Sequence, residues 1–153
     1  METAWQRAGQ FPYSDHAIMA YIDQDDIEAI FGEENVVTWS NLDGSTDTAD
    51  TAAIATAIAW AEAYVEARFR PCGIYTIPFS PATDPVLVNW CATLAGVWLF
   101  QRRPNAGGDP AASWADKKTE VEREMDLFIT GSRRLTCARA GSRNPTAPFV
   151  HRG

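Results

Sequence analysis

Apolar residues recur along the chain with helical spacing in several separate stretches, each opened or closed by a recognisable stop signal. The first covers residues 21–39, YIDQDDIEAIFGEENVVTW. Ile22, Ile27, Ile30 and Phe31 supply its apolar side, and Ile22 and Ile27 are spaced as a hydrophobic staple. Asp23 is placed to cap the helix, with Asp25, Asp26 and Glu28 in the first turns, where the helix dipole favours negative charge. Gly32 should end this helix, and residues 33–39 can form another short turn or helix.

Residues 51–70 predict a long helix with a stripe of Ile54, Ile58, Ala61, Val65 and Phe69, widened by Trp60 and Tyr64. Its many alanines permit close helix–helix approach, and Pro71 ends it. Asp84 and Pro85 then read as the cap and first position of a further helix. In that helix Val86, Leu87, Trp90, Cys91, Leu94, Val97, Trp98 and Phe100 cover most of the circumference, which predicts the most buried element. It closes at Gln101-Arg102-Arg103-Pro104, where basic residues complement the C-terminal dipole. A last helix spans 111–130, with Trp114, Val121, Met125 and Phe128 on one side and Gly131 just past its end. Lys117, Lys118, Glu120, Glu122 and Arg123 fall largely on the other side and read as a solvated face.

Between these helices lie punctuated segments. Residues 41–50, NLDGSTDTAD, form a turn-rich loop. Asp43, Ser45 and Asp47 alternate as in a calcium loop, but no closing glutamate stands at the required offset. Residues 71–84 hold three prolines and a glycine and predict an extended loop or edge hairpin. Tyr75, Ile77 and Phe79 in that loop either contact a partner or fold back on the core. The expected fold class is thus all-α: a small helical bundle with extended loops and a long extended C-terminal tail. Its expected organisation is an N-terminal extension (1–20), a helical domain (21–130) and a basic tail (131–153).

Charge changes the picture at one end. The chain has 20 acidic and 13 basic residues, net −7, and every acid lies at or before Asp126. Residues 131–153 carry Arg133, Arg134, Arg139, Arg143 and Arg152 and no acid, so an acidic body of −12 (8 basic, 20 acidic) precedes a tail of +5. That argues against a nucleic-acid-binding body and for a docking tail, in which Phe149 and Val150 are candidate anchors.

Candidate chemistry is sparse. Cys72, Cys91 and Cys137 are odd in number and form no CxxC pair, which fits a reducing compartment. The N-terminus lacks the apolar core of a signal peptide. The most apolar run, 86–100, is shorter than the ~20 residues a membrane span requires. An intracellular soluble protein is expected. A metal or acid–base site at Asp25, Asp26 and Glu28 would need a histidine partner, and the only histidines, His16 and His151, lie near the ends. No Gly-rich phosphate loop, HExxH or GxSxG is present. Arg102-Arg103 can contact phosphate but are better explained by helix termination. No catalytic, cofactor-binding or metal-binding residues are expected, and the protein reads as a non-enzyme.

The order of elements resembles a tailed-phage family. YIDQDDIEAIFG, the Ala-rich helix ending AEAYVEARFRP, a proline-rich loop and the apolar helix ending WLFQRRP are similar to the Mu-like group of small helical head–tail connector (adaptor or head-completion) proteins. The likeness covers about 21–128. It implies a small helical bundle and a virion protein, assembled in the host cytoplasm, forming a twelve-fold ring at the head–tail interface. The ring would lie between the portal protein and a tail terminator or stopper, with genomic DNA passing through its channel without sequence-specific binding. Arg133, Arg134, Arg139, Arg143, Phe149, Val150 and Arg152 would form a portal-docking tail. The extension 1–20, the longer 71–84 loop and the long basic tail depart from the short family pattern. A monomeric helical binding or regulatory module, using its basic tail on an acidic partner, is the alternative from another class.

Overall fold

The computed structural model describes residues 20–43, 47–80, 83–103 and 109–140. Within them the chain forms five α-helices: α1 (Gln24–Phe31), α2 (Glu33–Ser40), α3 (Thr51–Phe69), α4 (Pro85–Gln101) and α5 (Asp109–Ile129). A short 3-10 turn, Arg70–Cys72, follows α3. Helix α4 is the axis against which α1, α2, α3 and α5 all pack. Eleven of its 17 residues are buried, from Leu87 to Phe100, so its near-circumferential apolar pattern reflects neighbours on every side.

The starts of α1, α3 and α4 follow from their caps. Asp23 accepts a hydrogen bond from the Asp26 backbone N–H, and the Asp26 carboxylate accepts one back from the Asp23 N–H at 3.0 Å, a reciprocal capping box. The staple residues Ile22 and Ile27 are both buried. The acidic run therefore starts a helix. Among the described residues no group of three or more His, Cys, Asp or Glu is arranged to hold a metal. Asp23→Ala should lower stability by about 1 kcal/mol in urea unfolding, the usual worth of an N-cap; an unchanged midpoint would show that α1 is held by packing alone. Asp50 caps α3 through the Ala52 and Ala53 N–H groups, and Asp84 caps α4.

Two aromatic clusters divide the core along α4. Toward its C-terminus, Phe31, Trp39, Phe100 and Trp114 meet edge-on or tilted, with centroids 5.0–6.3 Å apart. Toward its N-terminus, Phe69 stacks on Trp90, and Phe128 meets Trp90 edge-on at 5.0 Å. Between the clusters Gly96 faces the Phe31 ring so closely that a Cβ there would lie 2.1 Å from it. This glycine lets α1 press on α4.

The polar side of α5 is less solvated than its charges suggest. Tyr64 on α3 donates to Glu122, Arg68 pairs with Asp126 at 2.7 Å, and Lys118 lies over the Trp60 and Tyr64 rings. Lys117 lies over Phe31 and Trp114. These side chains tie α5 to α3 and α1, while Glu120 and Arg123 remain exposed. Arg102 has a structural task as well: its guanidinium donates to the Ser40 carbonyl at the end of α2 and lies over Trp98. The segments 1–19 and 141–153 lie outside the described residues.

Candidate interaction surface

At the N-terminal end of α4 three separate parts of the chain are joined by hydrogen bonds. After α5, Gly131 takes a positive φ of 80°, and the N–H groups of Gly131 and Arg133 close the helix on the Phe128 and Leu127 carbonyls. Residues 135–140 then run as an extended strap along the loop 74–80. The Thr76 N–H donates to the Ala138 carbonyl and the Ala140 N–H to the Ile74 carbonyl, both at 3.0 Å, around an antiparallel bridge between Tyr75 and Arg139. The Ala138 N–H reaches the Ser80 carbonyl, and the Leu135 N–H reaches the Tyr75 hydroxyl. Leu135 and Cys137 are buried while Arg134, Thr136 and Ala138 face out, the alternation of an edge strand.

Asp84 joins the strap to the central helix. One carboxylate oxygen accepts from the Val86 and Leu87 N–H groups; the other accepts from both the Thr136 N–H and hydroxyl, each at 2.7 Å. Asp84 is only 3% exposed. Burial by itself would raise its carboxyl pKa, but the hydrogen bonds from Thr136, Val86 and Leu87 outweigh it and hold the carboxyl below its ordinary value.

The third part is the entry to α1. Tyr21 donates its hydroxyl to Glu66 and accepts from the Phe79 N–H at 2.9 Å, while its backbone N–H donates to Glu62. Burial, reinforced by the Glu66 hydrogen bond, pushes the Tyr21 phenol well above its usual range. Burial also raises Glu62; the Tyr21 and Ile22 N–H groups pull it partly back, and the nearby Glu66 carboxylate adds to the rise. Tyr21 and Ala140, near the two ends of the described residues, thus belong to one hydrogen-bonded assembly.

The expected site residues fall into three groups. Tyr75 and Phe79 are buried, packing on Phe69 and on each other, so of the two readings of this loop the fold takes the inward one for both; Ile77 is half-buried. Arg133 and Arg134 are exposed just before the strap and Arg139 on it, and Arg133 lies 3.4 Å from Glu124. Arg143, Phe149, Val150 and Arg152 lie outside the described residues, as do His16 and His151. Sequence reasoning missed the anchors of the strap: Asp84 in its second role, Thr136, Leu135 and Cys137. The alternation of apolar Leu135 and Cys137 with polar neighbours was the available signal. Burial pushes the Cys137 thiol up to about 11, with the Asp84 carboxylate adding to it, and burial raises Cys91 further still. Both are protonated packing residues at neutral pH, without the depressed pKa of a nucleophile.

Against known families, a family model described as Bacteriophage Mu, Gp36 matches residues 21–148. The chain belongs to the bacteriophage Mu Gp36 family. The match runs past the expected limit near 128 to residue 148, so most of the basic segment, expected to depart from the family pattern, lies within the Gp36 family region. No curated protein matches the chain. Membership supports the coarse reading of a phage structural or assembly protein of the Mu-like group. No described helix of this Gp36-family chain is long and apolar enough to cross a membrane.

Proposed function

We propose that this Gp36-family protein is a non-enzymatic ring subunit of the head–tail connector, docking under the portal and carrying the DNA channel on toward the tail. The family match is the observation that carries this reading. The architecture is consistent with it. A bundle organised on one buried helix leaves the outer faces of α3 and α5 available for neighbours, and an acidic body forgoes the salt-dependent grip that a basic groove exerts on DNA. Copies would pack along the long helices into a ring, taken as twelve-fold from the resemblance. The basic C-terminal segment would lie on the portal, and the opposite end would meet a terminator or stopper. A single tail would bind weakly after the entropy of ordering it, at roughly 1–2 kcal/mol per residue for the backbone, and a ring of tails strongly through effective concentration.

Particle mass, measured by light scattering with and without portal-containing heads, tests the proposal. A ring, or a monomer that forms rings only on heads, is the expected result. A protein that stays monomeric and ignores heads would remove the connector reading and favour a monomeric binding module. The tail is best tested by ending the chain after Ala140. An earlier cut would remove Leu135, Thr136 and Cys137 from the body and confound docking with stability. The chain ending at Ala140 should stay folded and lose most of its affinity for heads.

A further inference from the structure

Helix α3 meets a neighbour on every side but one. Ala53, Ile54, Ala57, Ala61 and Val65 are buried toward the core. Trp60, Tyr64 and Arg68 meet Lys118, Glu122 and Asp126 of α5. Along the remaining side Ala52, Ala55, Ala59, Ala63 and Ala67 are exposed. Alanine suits any helix, yet α5, of similar length, places charge at its exposed positions Asp116, Glu120, Arg123 and Asp126. The small side chains of α3 leave a groove of about 440 Å³, floored by Ala55, Ile58, Ala59 and Ala63. The two carboxylates on its rim are already occupied: Glu62 accepts the Tyr21 backbone N–H and Glu66 accepts the Tyr21 hydroxyl. Ala20 completes the wall. The chain therefore enters the fold along this groove, and Tyr21 fixes the point of entry.

We propose that the groove seats the chain's own segment 16–19, HAIM, with Ile18 as its anchor, and that this segment is a displaceable cover for the outer face of α3. Ala20 lines the groove, and alternate residues of an extended backbone share a side, which brings Ile18 to the groove as well. Between Ala63 and Ala55 the helix rises about 12 Å, a distance that about four extended residues span. Ala17, Ile18 and Met19, apolar like the groove, occupy those positions in the sequence. The tether decides the occupant. A segment joined to the groove wall is present at high effective concentration, while a second copy or another protein bears the full cost of association. The seat does not depend on the connector reading. Its consequence there is that the outer face of α3 opens to a neighbouring copy only once four residues are lifted, with the bundle intact.

Thiol labelling of the whole chain, read by peptide mass spectrometry, tests the cover. Ala59→Cys probes the groove, and Thr119→Cys on the exposed side of α5 is the reference; both positions are exposed on the bundle, so folding is not at stake. Ala59→Cys should react roughly tenfold more slowly than Thr119→Cys, at every protein concentration. Adding Ile18→Asp should remove most of that protection and leave the reference rate unchanged. Oxidation of Ile18→Cys/Ala59→Cys should form a disulfide within one chain, while Ile18→Cys/Thr119→Cys should not. Equal labelling at the two positions, or protection indifferent to Ile18→Asp, would overturn the inference. Protection that grows with protein concentration, together with a disulfide joining two chains, would assign the groove to a second copy and overturn it too.

Discussion

Asp84→Asn should cost about 3 kcal/mol of unfolding free energy, because hydrogen bonds to a buried charged group are worth roughly 1.5–3 kcal/mol and unpaired donors carry their own penalty. Asparagine keeps one carbonyl oxygen for the Val86 and Leu87 N–H groups. It turns an NH2 toward the Thr136 N–H, which is then left facing a donor. The strap should loosen before the helices do, and reaction of Cys137 with a thiol reagent should accelerate while Cys91, inside the bundle, stays protected. The effect depends on pH with a definite sign. A carboxyl held below its ordinary value stabilises the fold fully above that value, near 3.9, and loses the contribution as pH falls toward the depressed folded value. The gap between parent and Asp84→Asn should therefore be widest above about pH 5 and shrink in acid. Glu62, whose carboxyl is raised, slopes the other way: its folded form is favoured in acid and penalised as pH rises past the ordinary glutamate value. Only the parent–variant difference isolates Asp84. A gap that does not change between pH 6 and pH 3 would rule out the charged latch.

Gly96→Val should be comparably damaging, at roughly 3 kcal/mol, with Gly96→Ala costing about 1–2 kcal/mol. On an ordinary exposed helix, alanine in place of glycine would be stabilising by about 1 kcal/mol. Here the new Cβ would lie 2.1–2.7 Å from three Phe31 ring atoms, so the ring or all of α1 must move. Phe31 sits edge-on to Trp39 and Trp114, and the displacement should pass to the cluster that also holds Phe100. Near-ultraviolet circular dichroism should report it as altered aromatic signal. Pairing Gly96→Ala with Phe31→Ala should cost less than the two single changes summed, because the second makes room for the first. Additivity in that cycle, or a Gly96→Ala protein as stable as the parent, would show that the two helices are not locked at this point.

Local signals carried most of the fold. The Asp23 and Asp84 caps, Pro85, the break at Gly32 and the all-round apolar pattern of α4 are each properties of a few neighbouring residues, and each corresponds to an element observed. What could not be read depends on partners far along the chain. Asp84 reads in sequence only as a cap, since its second partner, Thr136, is 52 residues away. Tyr75 and Phe79 lie in a proline-rich stretch that gives no helical or strand period, so their inward direction follows only from contact with Phe69 and the strap. Lys118 and Glu122 look like an ordinary solvated pair, and only the approach of α3 turns them into cross-ties. Gly96 lacks any turn context, and its purpose appears once Phe31 is opposite it. The arginines of 131–140 were visible as a charge block; that they stand on a fixed edge, and not on a free tail, was not.

The strap's long-range pairing bears on synthesis of the chain. Helices α1 to α4 leave the ribosome first, yet the loop 74–80 and the Asp84 carboxylate must wait about fifty to sixty residues for their partners. A nascent or prematurely ended polypeptide that stops short of Leu135 therefore has an open hydrophobic seam beside Tyr75. Closing of that seam waits on residues 135–140, so copies that stop earlier keep it open to any apolar surface they meet.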